Sequence, residues 1–232
     1  MCGIVACYSR EGCYEKLLSA LFRLEYRGYD SAGIALLSAG GLSVRKRAGG
    51  VKNLEGAPLA GDTGIGHTRW ATHGAPTDVN AHPHVCGKFA LVHNGIIENF
   101  AQLKEELLAA GETFLSETDS EVIVHLIARA YEGDFFAAVA GGCRRLKGSY
   151  AVAVLCADRP GEIVCARSGS PLVAGRAEGA LYVCSDVPAL GGCGYFCPVG
   201  EGEFVHIRGG ELFFRDDEGK ELPKTFSRIG AA

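Results

Sequence analysis

The chain opens Met1-Cys2-Gly3-Ile4-Val5-Ala6-Cys7-Tyr8, and the reading of these residues decides the rest. Ile4 to Tyr8 is a β-rich run, which puts Cys2 at the head of a first strand. Methionine before a small residue such as cysteine is removed in the cell, and its loss leaves a thiol and a free α-amine on one residue. The amine ordinarily titrates near 7.7–8.0 and the thiol near 8.5, so at neutral pH the amine can take the thiol proton. Nucleophile and general base would then reside on a single residue. The plain alternative is a cysteine buried in the core of that strand.

Outward from this strand, short β-rich runs bounded by Gly, Asp or Ser recur: Gly33 to Leu37, Leu42 to Arg47, Gly64 to Arg69 and Phe89 to His93. A second set covers Tyr150 to Cys156, Ile163 to Ala166, Leu172 to Ala174, Leu181 to Cys184, Phe204 to Ile207 and Leu212 to Phe214. Helical spacing is found from about Cys13 to Tyr26 and from Phe100 to Ala110, the latter closed by Gly111. A third helix is expected from the capping box Thr118-x-x-Glu121 towards Tyr131, and a fourth between Phe135 and Leu146. Strands joined by hairpins, with helices bunched together, predict an α+β layered domain with antiparallel sheets. No linker or repeat divides residues 1–232, so one domain is expected, with Asp216 to Ala232 a polar, frayed tail.

Composition narrows the function. Glycine supplies 33 of 232 residues, twice the usual ~7%, which implies many tight turns. Lys plus Arg number 23 against 27 Asp plus Glu, a net charge of −4 with no basic block, so nucleic acid is excluded as a main partner. The longest apolar run, Tyr150 to Ala157, is far short of the ~20 residues that cross a bilayer. A cytoplasmic protein without membrane partners is expected, and its ten scattered cysteines are read as reduced. Cys193 and Cys197 form a weak C-x3-C pair, and no metal or other cofactor is assigned.

Chemistry-bearing residues gather in two further clusters. In Gly66-His67-Thr68-Arg69-Trp70-Ala71-Thr72-His73-Gly74 a strand delivers Arg, Trp, Thr and His into a loop that continues to Asn80-Ala81-His82-Pro83-His84. A guanidinium here suits a carboxylate ligand, which it grips as a bidentate fork. Five of the seven histidines lie between His67 and His93, with Cys86 close by, but no carboxylate joins them at ligand spacing, so zinc is a minor alternative. In the second cluster, His93-Asn94-Gly95, the Asn94 amide and Gly95 N–H could converge as an oxyanion hole. By propensity alone the same residues form a type I′ turn. Arg45-Lys46-Arg47 reads as a solvated sheet edge, and Ser168-Gly169-Ser170 as a packing turn that resembles a phosphate cradle.

Together these residues resemble the class II glutamine amidotransferases. The resemblance rests on Cys2-Gly3-Ile4-Val5, Glu25-Tyr26-Arg27-Gly28-Tyr29-Asp30-Ser31-Ala32-Gly33, His67 to Gly74, His93-Asn94-Gly95-Ile96-Ile97-Glu98-Asn99 and Ser116-Glu117-Thr118-Asp119, in that order. Ala166-Arg167-Ser168-Gly169-Ser170-Pro171-Leu172 extends it to about residue 210, and the motifs look most like the branch that uses fructose-6-phosphate. The resemblance implies an N-terminal nucleophile hydrolase fold, a four-layer αββα sandwich. It implies L-glutamine as nitrogen donor, Cys2 as nucleophile, and Asn94 with Gly95 as the oxyanion hole. It places Arg69 on the α-carboxylate, Asp119 on the α-ammonium, Thr72 and His73 at the carboxylate end, Arg27 beside the N-terminus, and Trp70 on a closing loop. Fructose-6-phosphate would be met only through downstream isomerase domains outside this sequence, in a longer protein for which the resemblance leaves homo-oligomeric assembly open. A catalytically silent glutamine-binding module is the alternative in another class.

Overall fold

A computed structural model describes residues 2–72, 74–191 and 194–230, so the sequence readings at Met1, His73 and Cys193 lie outside the described residues. The first strand, β1 (Gly3–Tyr8), is fully buried along most of its length and lies in the middle of a sheet. Beside it run β4 (Thr63–Arg69) and then the hairpin of β2 (Ser31–Ser38) and β3 (Gly41–Ala48). On its other side stand β10 (Ala180–Cys184), β9 (Val173–Ala177), β11 (Tyr195–Pro198) and β14 (Ser227–Arg228), completing an eight-stranded antiparallel sheet.

The second sheet has six antiparallel strands in the order β13 (Glu211–Arg215), β12 (Phe204–Arg208), β8 (Ile163–Ser168), β7 (Gly148–Cys156), β6 (Phe89–Ile97) and β5 (His84–Cys86). Alternation along the strands sends Ile4, Ala6, Ala35, Leu37 and Ile65 of the first sheet against Ala90, Val92, Ala151, Ala153 and Leu155 of the second. The opposite faces receive helices. Leu17, Leu21 and Leu24 of α1 (Tyr14–Leu24) pack on Val5, Ile34 and Leu36. α2 (Phe100–Ala109), α3 (Glu121–Ala130) and α4 (Phe135–Cys143) cover the outer face of the second sheet through Leu103, Val122, Leu126, Phe135 and Val139. The result is the αββα sandwich of two antiparallel sheets that the resemblance implied.

Three local readings are corrected. Asn94-Gly95 is no type I′ turn: β6 runs on to Ile97, with Asn94 opposite Ala151 and Gly95 opposite Tyr150. Gly95 has φ 131°, and a Cβ there would stand 2.0 Å from the Ser149 carbonyl oxygen, so only glycine carries the strand past this point. The capping box is not formed. Ser120 occupies the N-cap without a side-chain bond, and the Glu121 carboxylate accepts instead from Leu115 N, Ser116 N and Ser116 Oγ. Finally, the expected frayed tail is structured through residue 230: Ser227 and Arg228 extend the first sheet, and Leu222 and Phe226 pack on the core between the sheets. β5, β11 and β14 were not visible as strands in the sequence, being two to four residues long.

The basic run does form a sheet edge, on β3, but Arg45 donates to Tyr14 Oη and the Leu54 and Ala57 carbonyls, and Lys46 to the Val79 and Ala81 carbonyls. The cradle-like turn is filled by the protein's own Glu201, which accepts from Ser168 Oγ and Gly169 N. Among the described residues no helix is long and apolar enough to cross a membrane.

Candidate active site

Pairing of Gly3 with Thr68 brings Cys2 to the end of β4, where the chain leaves the sheet at Arg69 and Trp70. Trp70 N donates to Cys2 Sγ at 3.3 Å, and the thiol lies 3.5 Å from the Trp70 carbonyl oxygen. Burial pushes the thiol above its ordinary value, while the Trp70 N–H and the charges of Arg69 and Arg27 act the other way. The Cys2 carbonyl is held from two sides. Arg27 Nε donates to it at 3.0 Å from the single 3-10 turn after α1, and Asn94 Nδ2 donates to it at 3.0 Å from β6 of the other sheet. Cys2 is therefore pinned where the two sheets meet.

Each clamp has its own support. The Asp186 carboxylate accepts from Arg27 Nη1 at 2.9 Å and from Tyr26 Oη at 2.7 Å, and Asp186 follows β10, the neighbour of β1. Asn94 is oriented by His67: its Nε2 lies 3.0 Å from Asn94 Oδ1 and 2.9 Å from the His93 carbonyl oxygen. Both partners only accept, so the proton is on Nε2. Burial lowers His67 to about 3, so the ring is neutral and donates to the amide oxygen, leaving Nδ2 of Asn94 turned to Cys2. His67 packs against His82 in a tilted contact at 4.1 Å, and His82 meets His84 edge-on at 4.5 Å. The histidines thus do gather, but as buried rings behind the oxyanion-hole candidate.

The substrate-binding candidates fall around the same point. Arg69 is buried, with Nη1 and Nη2 donating to the Ala75 and Gly74 carbonyls, which ties the loop after β4 to its base. Burial lowers its pKa, and the nearby Cys2, Asp30 and Asp119 favour its charge. Asp119 is also buried: Ile97 N donates to its Oδ2 at 2.8 Å, which fixes it beside the end of β6. His93 Nδ1 lies 2.7 Å from Ser120 Oγ, which in turn donates to Asp119 Oδ1 at 3.4 Å. Trp70 is 46% exposed and meets Tyr29 edge-on at 5.7 Å. Gly95 is exposed beside Asn94, and Thr72 is exposed in the bend beyond Trp70, apart from the buried group.

A tight backbone approach sets the loop. Asp30 N donates to the Arg69 carbonyl, Ala71 N donates to Asp30 Oδ2, and a Cβ on Gly28 would lie 2.6 Å from Trp70 N. That is why Gly28 and Asp30 stand in the Tyr-Arg-Gly-Tyr-Asp run. Sequence reasoning missed the supporting residues. His67 was given a role only as a metal ligand, Asp186 lies in no quoted motif, and Asn80 and Glu117, though quoted within runs, were given no role, where the structure clasps them at 2.9 and 3.1 Å. Proximity in the sheet, not spacing in the chain, assembles them. A cavity of about 840 Å³, lined by Phe136, Arg144, His206 and Arg215 among others, does not include Cys2.

A cysteine at the head of a central strand, its carbonyl held by an amide from the opposing sheet of an αββα sandwich, defines an N-terminal nucleophile amidotransferase layout. The family model described as glutamine amidotransferase domain matches residues 67–191, and the chain belongs to that family. Relatives named glutamine–fructose-6-phosphate aminotransferase [isomerizing], from Symbiobacterium thermophilum and Aquifex aeolicus, are each 53% identical over 196 residues. These matches cover 82% of this chain and 32% and 33% of the relatives, so the chain spans about a third of their length. Among solved structures, the glutamine phosphoribosylpyrophosphate amidotransferase from B. subtilis, complexed with ADP and GMP, aligns with a TM-score of 0.77 at 26% identity. That alignment covers 99% of this chain and 50% of the other. A class-II glutamine aminotransferase domain protein from Silicibacter pomeroyi shares the fold, with a TM-score of 0.63 at 16% identity over 92% of this chain and 98% of that one.

Proposed function

We propose that residues 1–232 form one glutaminase unit, which hydrolyses L-glutamine to glutamate and ammonia through a thioester on Cys2. The observation that carries this reading is the convergence of Trp70 N, Arg27 Nε and Asn94 Nδ2 on the single residue Cys2. With Met1 removed, the α-amine of Cys2 takes the thiol proton and Sγ attacks the side-chain amide carbon of glutamine. The amide π electrons move to oxygen, and Asn94 Nδ2 with Gly95 N–H receive the oxyanion. On collapse, the C–N bond breaks and the α-ammonium protonates the departing ammonia. Water, deprotonated by the same amine, then opens the thioester to glutamate and restores the thiol.

Recognition of the donor follows from charge. The Arg69 guanidinium pairs with the α-carboxylate and the Asp119 carboxylate with the α-ammonium, while Thr72 and His73 line the carboxylate end. Arg27 fixes the N-terminus through the Cys2 carbonyl, with Asp186 behind it. Trp70, on the exposed loop, closes over bound glutamine. The names of the 53%-identical relatives support fructose-6-phosphate as the eventual acceptor of the ammonia, bound by regions of a longer polypeptide. The expected compartment is the cytoplasm.

The direct test is covalent trapping. A glutamine analogue with an electrophile in place of the side-chain amide is incubated with the protein, and peptides are mapped by mass spectrometry. Adduct on Cys2 alone, blocked by excess glutamine, is expected; a protein that binds glutamine but leaves Cys2 unmodified would instead be a silent binding module.

A further inference from the structure

Away from the Cys2 site, donors of three chemistries meet at the outer edge of the second sheet. Cys86 ends β5, His125 lies in α3, and Glu112 lies in the segment between α2 and α3. Their donor atoms all fall within 4.8 Å of one another: Cys86 Sγ is 3.4 Å from His125 Nδ1, and Nδ1 is 2.9 Å from Glu112 Oε2. With metal–sulfur bonds of about 2.3 Å and metal–nitrogen and –oxygen bonds of about 2.0–2.2 Å, tetrahedral ligands stand roughly 3.3–3.6 Å apart. The Cys86–His125 separation already has that value, and the His125–Glu112 pair would have to open by about half an ångström to reach it.

We infer that Cys86, His125 and Glu112 form a binding site for a borderline-soft divalent ion such as zinc, distinct from the Cys2 site. The donor set mixes thiolate, imidazole and carboxylate, which suits zinc better than magnesium or calcium. The imidazole presents Nδ1 to the other two donors, while the Glu121 carboxylate lies near its far side, Oε1 standing 3.8 Å from Nε2, beyond hydrogen-bond distance. Glu121 is itself held by Leu115 N, Ser116 N and Ser116 Oγ, and Phe114 stacks on the ring at 4.6 Å. Cys86 and Glu112 are half-buried, so an ion can enter and water can supply the fourth ligand. A bound ion would tie β5 to the segment leading to Asp119. Without metal the same atoms make a charged hydrogen-bonded group that Arg129 joins through Glu112, and this is the state an ion must displace.

Cys2 with a free α-amine would itself chelate metal, so the test uses the Cys2→Ala protein. Cobalt(II) is titrated into metal-free Cys2→Ala protein, and thiolate-to-cobalt charge transfer and tetrahedral d–d absorption are read. Zinc is then added, and melting temperature is followed in parallel. One equivalent of cobalt with both bands, displaced by zinc and accompanied by a higher Tm, is expected. Adding Cys86→Ser should remove the charge-transfer band and the Tm rise, and adding Glu112→Gln should weaken binding at least about tenfold, with circular dichroism unchanged in both. Absence of the bands, or bands that persist in Cys2→Ala/Cys86→Ser, would overturn the assignment and leave a plain ion-pair cluster.

Discussion

The side-chain amide of Asn94 spans the two sheets to donate to the Cys2 carbonyl oxygen at 3.0 Å, with His67 holding its other end. The proposed oxyanion donor is thus aimed by a neutral histidine rather than by its own strand. His67→Ala is expected to lower kcat by up to about 100-fold with KM changed little, since misplacement of a reacting group by an ångström costs that much. Steady-state kinetics, with circular dichroism to confirm folding, check this. His67→Gln, which keeps a donor, should recover part of the loss, whereas a purely structural role would lower soluble yield without splitting kcat from KM.

Glycine at position 28 permits the contact that seats the thiol. A Cβ there would stand 2.6 Å from both the Arg69 carbonyl carbon and Trp70 N, the donor to Cys2 Sγ. Gly28→Ala should therefore displace the Arg69–Trp70 corner and reduce glutaminase turnover by about 10–100-fold. The expected cost in stability is about 1–3 kcal/mol, from urea unfolding. Turnover equal to the parent would show that the corner does not position the thiol.

Arg69 is tied to its loop as well as to the site. Arg69→Lys keeps the charge but loses the two-pronged guanidinium, so KM for glutamine should rise at least tenfold with a smaller fall in kcat. Hydrogen bonds to the Gly74 and Ala75 carbonyls would be weakened too, and proteolysis of the 70–80 loop should speed up. Unchanged KM would remove Arg69 from donor recognition.

Buried histidines give the fold an acid limit. Burial lowers His67 and His84 each to about 3, against about 6.5 in an unfolded chain, and lowers His82 and His93 in the same direction. On acidification the unfolded chain takes up these protons first, so the stability they contribute is complete above about pH 6.5 and is lost between there and about pH 3. Urea midpoints should fall steadily from about pH 7 to about pH 4. A flat profile would mean that these rings are solvated and charged in the folded protein.

The layered fold was legible because period-2 runs and amphipathic helices state which faces are buried. Ile4, Ala6, Leu17 and Leu21 could be assigned from pattern alone. The Asn94-Gly95 step was misread as a turn because local propensity cannot register that β7 lies alongside and continues the ladder to Ile97. Thr118-x-x-Glu121 failed as a capping box for a similar reason: Glu121 finds better donors in Leu115 and Ser116, and Thr118 Oγ1 turns to His84. Of the site, Cys2, Arg27, Arg69, Asn94 and Asp119 were readable as motifs. Asp186 was in no motif, and His67 stood in one without its supporting role being visible, because a positioning residue is defined by what lies next to it across sheet and strand.

The most direct measurement is glutamate release from glutamine by protein whose intact mass shows Met1 removed, beside the Cys2→Ala variant. The parent should turn over, and the variant should lose at least about 1,000-fold while keeping its circular dichroism spectrum and its affinity for glutamine. Comparable turnover by Cys2→Ala would contradict the thioester mechanism at its centre, since hydrolysis would then proceed without the Cys2 thiol.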